Sequence, residues 1–247
     1  MTASNGHRRT LQLTGRDGDA LRWTGEMFAA RVDTLAVLLG RLSPVPVRSG
    51  YVTDRVVRRV VGRWERAGLA RVQSMLGRVW AVPTARGLAY AGLTNGEHPW
   101  TEWHPAKPRL AHVHACGLVR LAVESDLGPG GRWESERWLR RLADADRYHL
   151  PDGLVVTPAG ERWAVEVELT MKSDANLSPV LANLRPGLHA VVYFTPAELL
   201  ERIGQQLQRV TNEVAAQPGV VSAPVVVPPI HVRPLPPVAG ASYEGRW

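Results

Sequence analysis

Cysteine is almost missing from this chain: Cys116 is the only one in 247 residues. No internal disulfide framework can form, and without CxxC pairs there is no sequence signature of a structural zinc site. Long apolar runs are missing too. No segment approaches the roughly 20 apolar residues that span a bilayer, and the opening MTASNGHRRT lacks the apolar core of a secretion signal. The expectation is a soluble, cytoplasmic protein. Lysine is scarce, Lys107 and Lys172 being the only two, so arginine carries the formal charge of +7. The planar fork of arginine suits phosphate, but a coding bias would give the same composition, so position has to decide. There is no internal repeat and no glycine-rich phosphate loop.

Position does separate two halves. From Arg41 to Arg86, ten arginines stand against two acids, Asp54 and Glu65, a surplus larger than that of the whole chain. Acids gather instead around 134–168. In the first half, Asp17 or Asp19 can cap a helix through ALRWTGEMFA, and Asp33 and Thr34 stand where a second, TLAVLLGRL, begins. Thr53 opens a third, with Val56, Val57, Val60, Val61 and Trp64 as its apolar stripe. Arg55, Arg59, Arg63 and Arg66 line the opposite side, with Arg58 beside them. LARVQ and RVWAV then read as a β-hairpin carrying Arg78, and PTARGLAYAGL as a short closing helix. Three helices and a hairpin form a winged helix-turn-helix over 16–93, whose third helix enters the major groove of double-stranded DNA. Two competing readings of the arginines are plain solvation and a protein-docking surface.

Residues 94–108 read as a proline-rich linker, and a helix begins near Arg109. It carries His112, His114 and Cys116; on a helix His112 and Cys116 share a face while His114 points elsewhere, so these three cannot meet on one ion. A buried or hydrogen-bonded histidine is expected there. WESERWLRRL reads as a strand bearing Glu134 and Glu136. Next, GLVVT and WAVEVEL flank the turn Pro158-Ala159-Gly160, with Glu166 and Glu168 on one face. If Thr157 lies opposite Glu161, Asp152 falls opposite Glu166, with Cβ atoms about 5 Å apart. Three clustered carboxylates repel unless a hard divalent cation such as Mg²⁺ or Mn²⁺ neutralises them; the alternative is an exposed acidic hairpin face whose glutamates pair with nearby arginines. Such an ion activates water for phosphodiester hydrolysis.

At these residues a resemblance becomes specific. "PD" at 151–152 followed by "EVE" at 166–168 resembles the PD-(D/E)XK nuclease motif. A winged helix followed by "H…WESE…LPD…VEVELT" is similar to the replication-relaxation family of plasmid and integrative-element proteins. The resemblance implies an α/β (α+β) fold in which a winged helix precedes a restriction-endonuclease-like domain with a mixed central sheet, over 109–217. It also implies metal ligation by Asp152 and Glu166, and a catalytic role for Glu168, which stands where the commonest pattern has lysine. Lys172 has the parity to substitute, but a straight strand puts it roughly 13 Å beyond residue 168. Glu124 and Glu136 are further ligand candidates. Residues 1–15 read as a flexible N-terminus and 218–247 as a Pro/Val-rich tail with edge strands at 225–227 and 230–232. Three functions follow: a metal-dependent DNA endonuclease working with other plasmid-processing proteins, a non-catalytic DNA-binding accessory or regulator with a nuclease-like scaffold, and a protein-docking adaptor.

Overall fold

A computed structural model describes residues 12–94, 100–104, 106–142, 145–216 and 227–241. Most of the 1–15 segment, positions 225 and 226, and the chain beyond 241 lie outside these residues. The protein is mixed α+β, with helices around two sheets.

Helix α1 (Gly15–Glu26) is capped by Thr14, not by Asp17 or Asp19. Asp17 sits three positions in, where its backbone N–H bonds the Thr14 hydroxyl and its carboxylate accepts the Thr14 N–H at 2.8 Å. That placement turns Asp17 inward. Only 1% exposed, it accepts Trp64 Nε1 at 2.8 Å and Arg63 Nη2 at 2.9 Å. A short strand β1 (Ala30–Arg31) leads into α2 (Val32–Arg41), and α3 (Asp54–Arg66) buries Val57, Val60, Val61 and Trp64. Strands β2 (Ala70–Met75) and β3 (Arg78–Pro83) meet through a two-residue turn. Leu76 and Gly77 both have positive φ (51° and 69°), which matches the right-handed twist of the flanking strands. β1 joins the far edge of β3, giving a three-stranded sheet, and α4 (Ala85–Tyr90) follows, capped by Thr84.

Helix α5 (Lys107–Asp126) starts inside the expected linker, and Trp100 is already buried, with Arg137 stacked 4.9 Å above its ring. WESERWLRRL divides: Arg132–Ser135 is strand β4, whereas Glu136–Leu139 is helix α6, because the Ser135 side chain caps it through Trp138 N. Strands β5 (Gly153–Val156) and β6 (Arg162–Val167) pair with Gly153 opposite Val165 and Val156 opposite Arg162, the register expected from the turn. After α7 (Asp174–Ala182), β7 (Ala190–Thr195) pairs parallel to β6. Helix α8 (Leu200–Ala216) then leads to β8 (Ile230–Pro234), parallel to β7. The sheet order is β4-β5-β6-β7-β8, antiparallel at one end and parallel at the other. The segment assigned to the tail thus supplies an edge strand, and Val238 beyond it is buried.

Alternation along β6 sorts the two faces. Val165 and Val167 join the core shared with α5, while Ala164, Val191 and Tyr193 pack with α7 and α8. The first core also includes Leu35, Leu39, Val60 and Trp64, so apolar packing runs continuously from the arginine-rich half into the sheet. Polar contacts follow the same seam: Thr34 bonds His114 at 3.1 Å, and Trp23 Nε1 donates to Glu124 at 3.2 Å. Gly117 lets the helices close, since a Cβ there would stand 3.3 Å from the Trp23 ring. Among the described residues no helix is long and apolar enough to cross a membrane.

Burial pushes the Asp17 pKa up, but bonds from Thr14 and Trp64 and the Arg63 charge outweigh it and hold the carboxyl below its ordinary value. Its contribution is therefore full at neutral pH and is lost as pH falls through that lowered pKa. Asp17→Asn is expected to lower stability by about 2–3 kcal/mol at neutral pH. In denaturant titrations the gap from the parent protein should close in acid.

Candidate functional site

Two neighbouring features qualify: a basic surface on α3, and a cluster of ionisable groups where the β5–β6 hairpin meets α5. On α3, Arg55, Arg58, Arg59 and Arg66 are exposed, and so is Arg78 beside the hairpin turn. Arg58 lies 3.5 Å from Asp54; among the described residues no carboxylate pairs with Arg55, Arg59, Arg66 or Arg78. Arg63 differs from its neighbours. It is half-buried in the Asp17 pair, so it holds α3 to α1.

The second feature is built around Asp152, the residue just before β5. One turn of α5 separates His112 from Cys116, which puts both on one face. That face looks toward Asp152: His112 Nε2 is 2.8 Å from Asp152 Oδ1 and 3.4 Å from Cys116 Sγ. The other carboxylate oxygen, Oδ2, accepts the Val167 N–H at 2.8 Å, and the backbone carbonyl of Asp152 accepts from Glu136 N at 3.3 Å. Asp152 therefore ties α5, β6 and the start of α6 together. His114, pointing the other way, is the hydrogen-bonded buried histidine.

Each remaining carboxylate of the motif has its own base. Glu166 Oε1 is 2.8 Å from His149 Nε2, whose backbone N–H is anchored on Asn183 O at the end of α7. Lys172 Nζ lies 2.6 Å from Glu168 Oε2. The straight-strand estimate for Lys172 fails because β6 stops at Val167 and the chain bends at Leu169 and Thr170, which brings the lysine back. Tyr193 stands directly opposite Glu166 in the parallel ladder; its buried hydroxyl has no hydrogen-bond partner among the described residues.

These surroundings drive the groups apart in acidity. Burial would raise Asp152, but His112, the Val167 N–H and Lys172 together lower it. Burial raises Glu166, and the nearby Asp152 charge adds to this against the opposing His149 bond. For His112, burial is outweighed by the Cys116 sulfur and the Asp152 carboxylate, so its pKa rises. Burial would also lower His149, yet the Glu166 bond and charge raise it. Burial pushes the Cys116 thiol up to about 12, with the Asp152 charge adding to it. The thiol is thus no nucleophile at neutral pH. Nor is this a nucleophile–base–orienter triad, because sulfur and carboxylate share the same imidazole nitrogen.

Mg²⁺ takes near-octahedral oxygen donors. Here both oxygens of Asp152 and one of Glu166 face nitrogen donors at 2.8 Å, Glu168 Oε2 stands in ion-pair contact with Lys172 without hydrogen-bond geometry, and His112, His149 and Lys172 offset the three acids. In this arrangement the three acids face nitrogen bases rather than one another. The donors that do converge are His112, Cys116 and Asp152, whose ligand atoms all lie within 4.8 Å of one another. Glu136 borders this group, but its carboxylate pairs with Arg140 and, at 3.8 Å, Arg109. Glu124 lies elsewhere, bound to Arg120 and Trp23. A larger cavity, about 870 Å³, lies on the α5 side of the sheet, bordered by Val123, Val165 and Phe194, and includes none of these acids.

Spacing had already put His112 and Cys116 together; the third donor came from a distant strand. His149 carried one signal, standing three residues before the Asp152 it flanks. Comparison with protein-family models, with curated proteins and with solved structures finds no match to this chain.

Cys116 should resist Ellman's reagent in the native protein at neutral pH and react stoichiometrically once the chain is unfolded. Fast native labelling would contradict the burial and raised pKa of the thiol.

Proposed function

We propose that the chain binds double-stranded DNA, with α1–α3 and the β2–β3 hairpin acting as a winged helix and the five-stranded unit as a nuclease-like scaffold. The exposed arginine face of α3 carries this reading. Four arginines project from one helix, and Arg78 extends the same charge onto the adjoining hairpin. Backbone phosphates are the polyanion that such a surface fits, because the guanidinium fork binds oxyanions in pairs and counterion release drives association. The scaffold part is supported by a mixed central sheet of the kind the resemblance implies: after α5 come β4, the short α6, the β5–β6 hairpin, α7 and the parallel strand β7. That resemblance also motivates a role in plasmid or integrative-element replication or transfer.

The paired acids favour a non-catalytic accessory. Asp152, Glu166 and Glu168 are each balanced by a base, which removes the electrostatic demand for a magnesium ion. One observation favours strand cleavage instead: Lys172 reaches the carboxylates, where nuclease chemistry wants a cation to steady developing charge. Cleavage would require Asp152 and Glu166 to exchange their histidines for a divalent ion.

Alanine at Arg55, Arg59 and Arg66 is expected to weaken binding to labelled duplex DNA, each lost phosphate contact lowering the salt slope by about one. Arg63→Ala should act mainly on thermal stability. Absence of salt-dependent DNA binding would leave the docking-adaptor reading. Plasmid nicking in Mg²⁺ or Mn²⁺ that disappears in D152A and E166A would establish the cleavage reading over the accessory one.

A further inference from the structure

We propose that His112, Cys116 and Asp152 form a three-donor site for a borderline-soft divalent transition metal, Zn²⁺ being the natural occupant, with the fourth position open. Two of the three donor separations already stand near those of a zinc site. In a tetrahedral zinc site a thiolate sulfur and an imidazole nitrogen stand about 3.6 Å apart, and an imidazole nitrogen and a carboxylate oxygen about 3.3 Å. The first separation here is 3.4 Å and the second 2.8 Å, so the carboxylate has to retreat from the imidazole by about half an ångström. Sulfur and carboxylate oxygen lie within 4.8 Å of each other, against about 3.6 Å around one zinc, so the ion has to draw those two together.

Donor type selects the ion. A thiolate, an imidazole and one carboxylate oxygen suit zinc or cobalt, whereas magnesium and calcium demand oxygen alone. The supporting shell is already in place for Asp152: Val167 N–H holds Oδ2, leaving Oδ1 aimed at the imidazole. Cys116 and His112 are set by a single helical turn. A small cavity of about 10 Å³ adjoins the three donors, bordered by Met27, Phe28, Arg109 and Glu136. That is on the order of the space one water needs, and a water is the ordinary fourth ligand of a zinc with three protein donors.

The exchange balances. The ion enters between Sγ, Nε2 and Oδ1; the S–H and Nε2–H bonds break, and both protons leave to solvent. Thiolate and carboxylate together then supply two negative charges to the dication. A site of this kind would clamp α5 onto the mouth of the β5–β6 hairpin. It does not depend on DNA binding, and it needs no cleavage chemistry.

The test is a Co²⁺ titration of the full-length, metal-stripped chain, read by absorption. One equivalent should produce a thiolate-to-cobalt charge-transfer band and the visible bands of tetrahedral cobalt, displaced by Zn²⁺ but not by a large excess of Mg²⁺. C116S should abolish the charge-transfer band. H112Q and D152N should weaken binding beyond the about 10–100-fold that losing a supporting contact costs. Circular dichroism checks that each variant is folded, and C116S, nearly isosteric, guards against a folding artefact. No charge-transfer band at one equivalent, or a band that C116S leaves unchanged, would overturn the site; so would Mg²⁺ displacing cobalt.

Discussion

Asp152 is the joint of the second half of the molecule. Its two side-chain oxygens and its carbonyl are taken by three different elements: His112 of α5, Val167 of β6 and Glu136 at the start of α6. A carboxylate largely withdrawn from water, as this one is, is costly unless its lone pairs find donors. Satisfying this one fixes where the long helix crosses the sheet and how far the hairpin opens. The lowered pKa of Asp152 and the raised pKa of His112 follow from that contact, and the Asp152 charge adds to the burial that raises the pKa of Glu166.

A matching joint organises the first half. Asp17 closes the cap of α1 and grips Arg63 and Trp64 of α3. Burying an acid under the arginine-rich helix sets the angle at which Arg55, Arg59 and Arg66 face outward. The surface offered to a polyanion is therefore fixed by an interior carboxylate, and one member of the arginine series serves the interior instead. Between the joints, the Thr34–His114 bond and the close approach at Gly117 make α5 the common wall of both halves.

What could be read from the residues divides along a physical line. Patterns with a local period were legible: the Val57, Val60, Val61 and Trp64 stripe, and the β5–β6 register, which a short turn sets by itself. Contacts that depend on where a distant element lies were not. Arg63 looks like Arg59 on a helical wheel, and only the presence of α1 turns it inward. His112 and Cys116 share a face by spacing, yet nothing local says that Asp152 will arrive there. Lys172 was placed too far away because the estimate assumed a straight strand, and β6 ends five residues earlier. The acids themselves were found; the bases that answer them, His112, His149 and Lys172, came from a helix, a loop and a bend.

The parallel edge strand has a kinetic meaning. β8 can dock on β7 only after α8 and the following segment have been made, since a parallel neighbour cannot be reached by a tight turn. Until residues 230–234 emerge from the ribosome, the outer rim of β7 offers unpaired N–H and C=O groups flanked by valine and aromatic side chains. Such a rim recruits strands from other chains. Docking of the last strand closes that rim in the same step that completes the sheet.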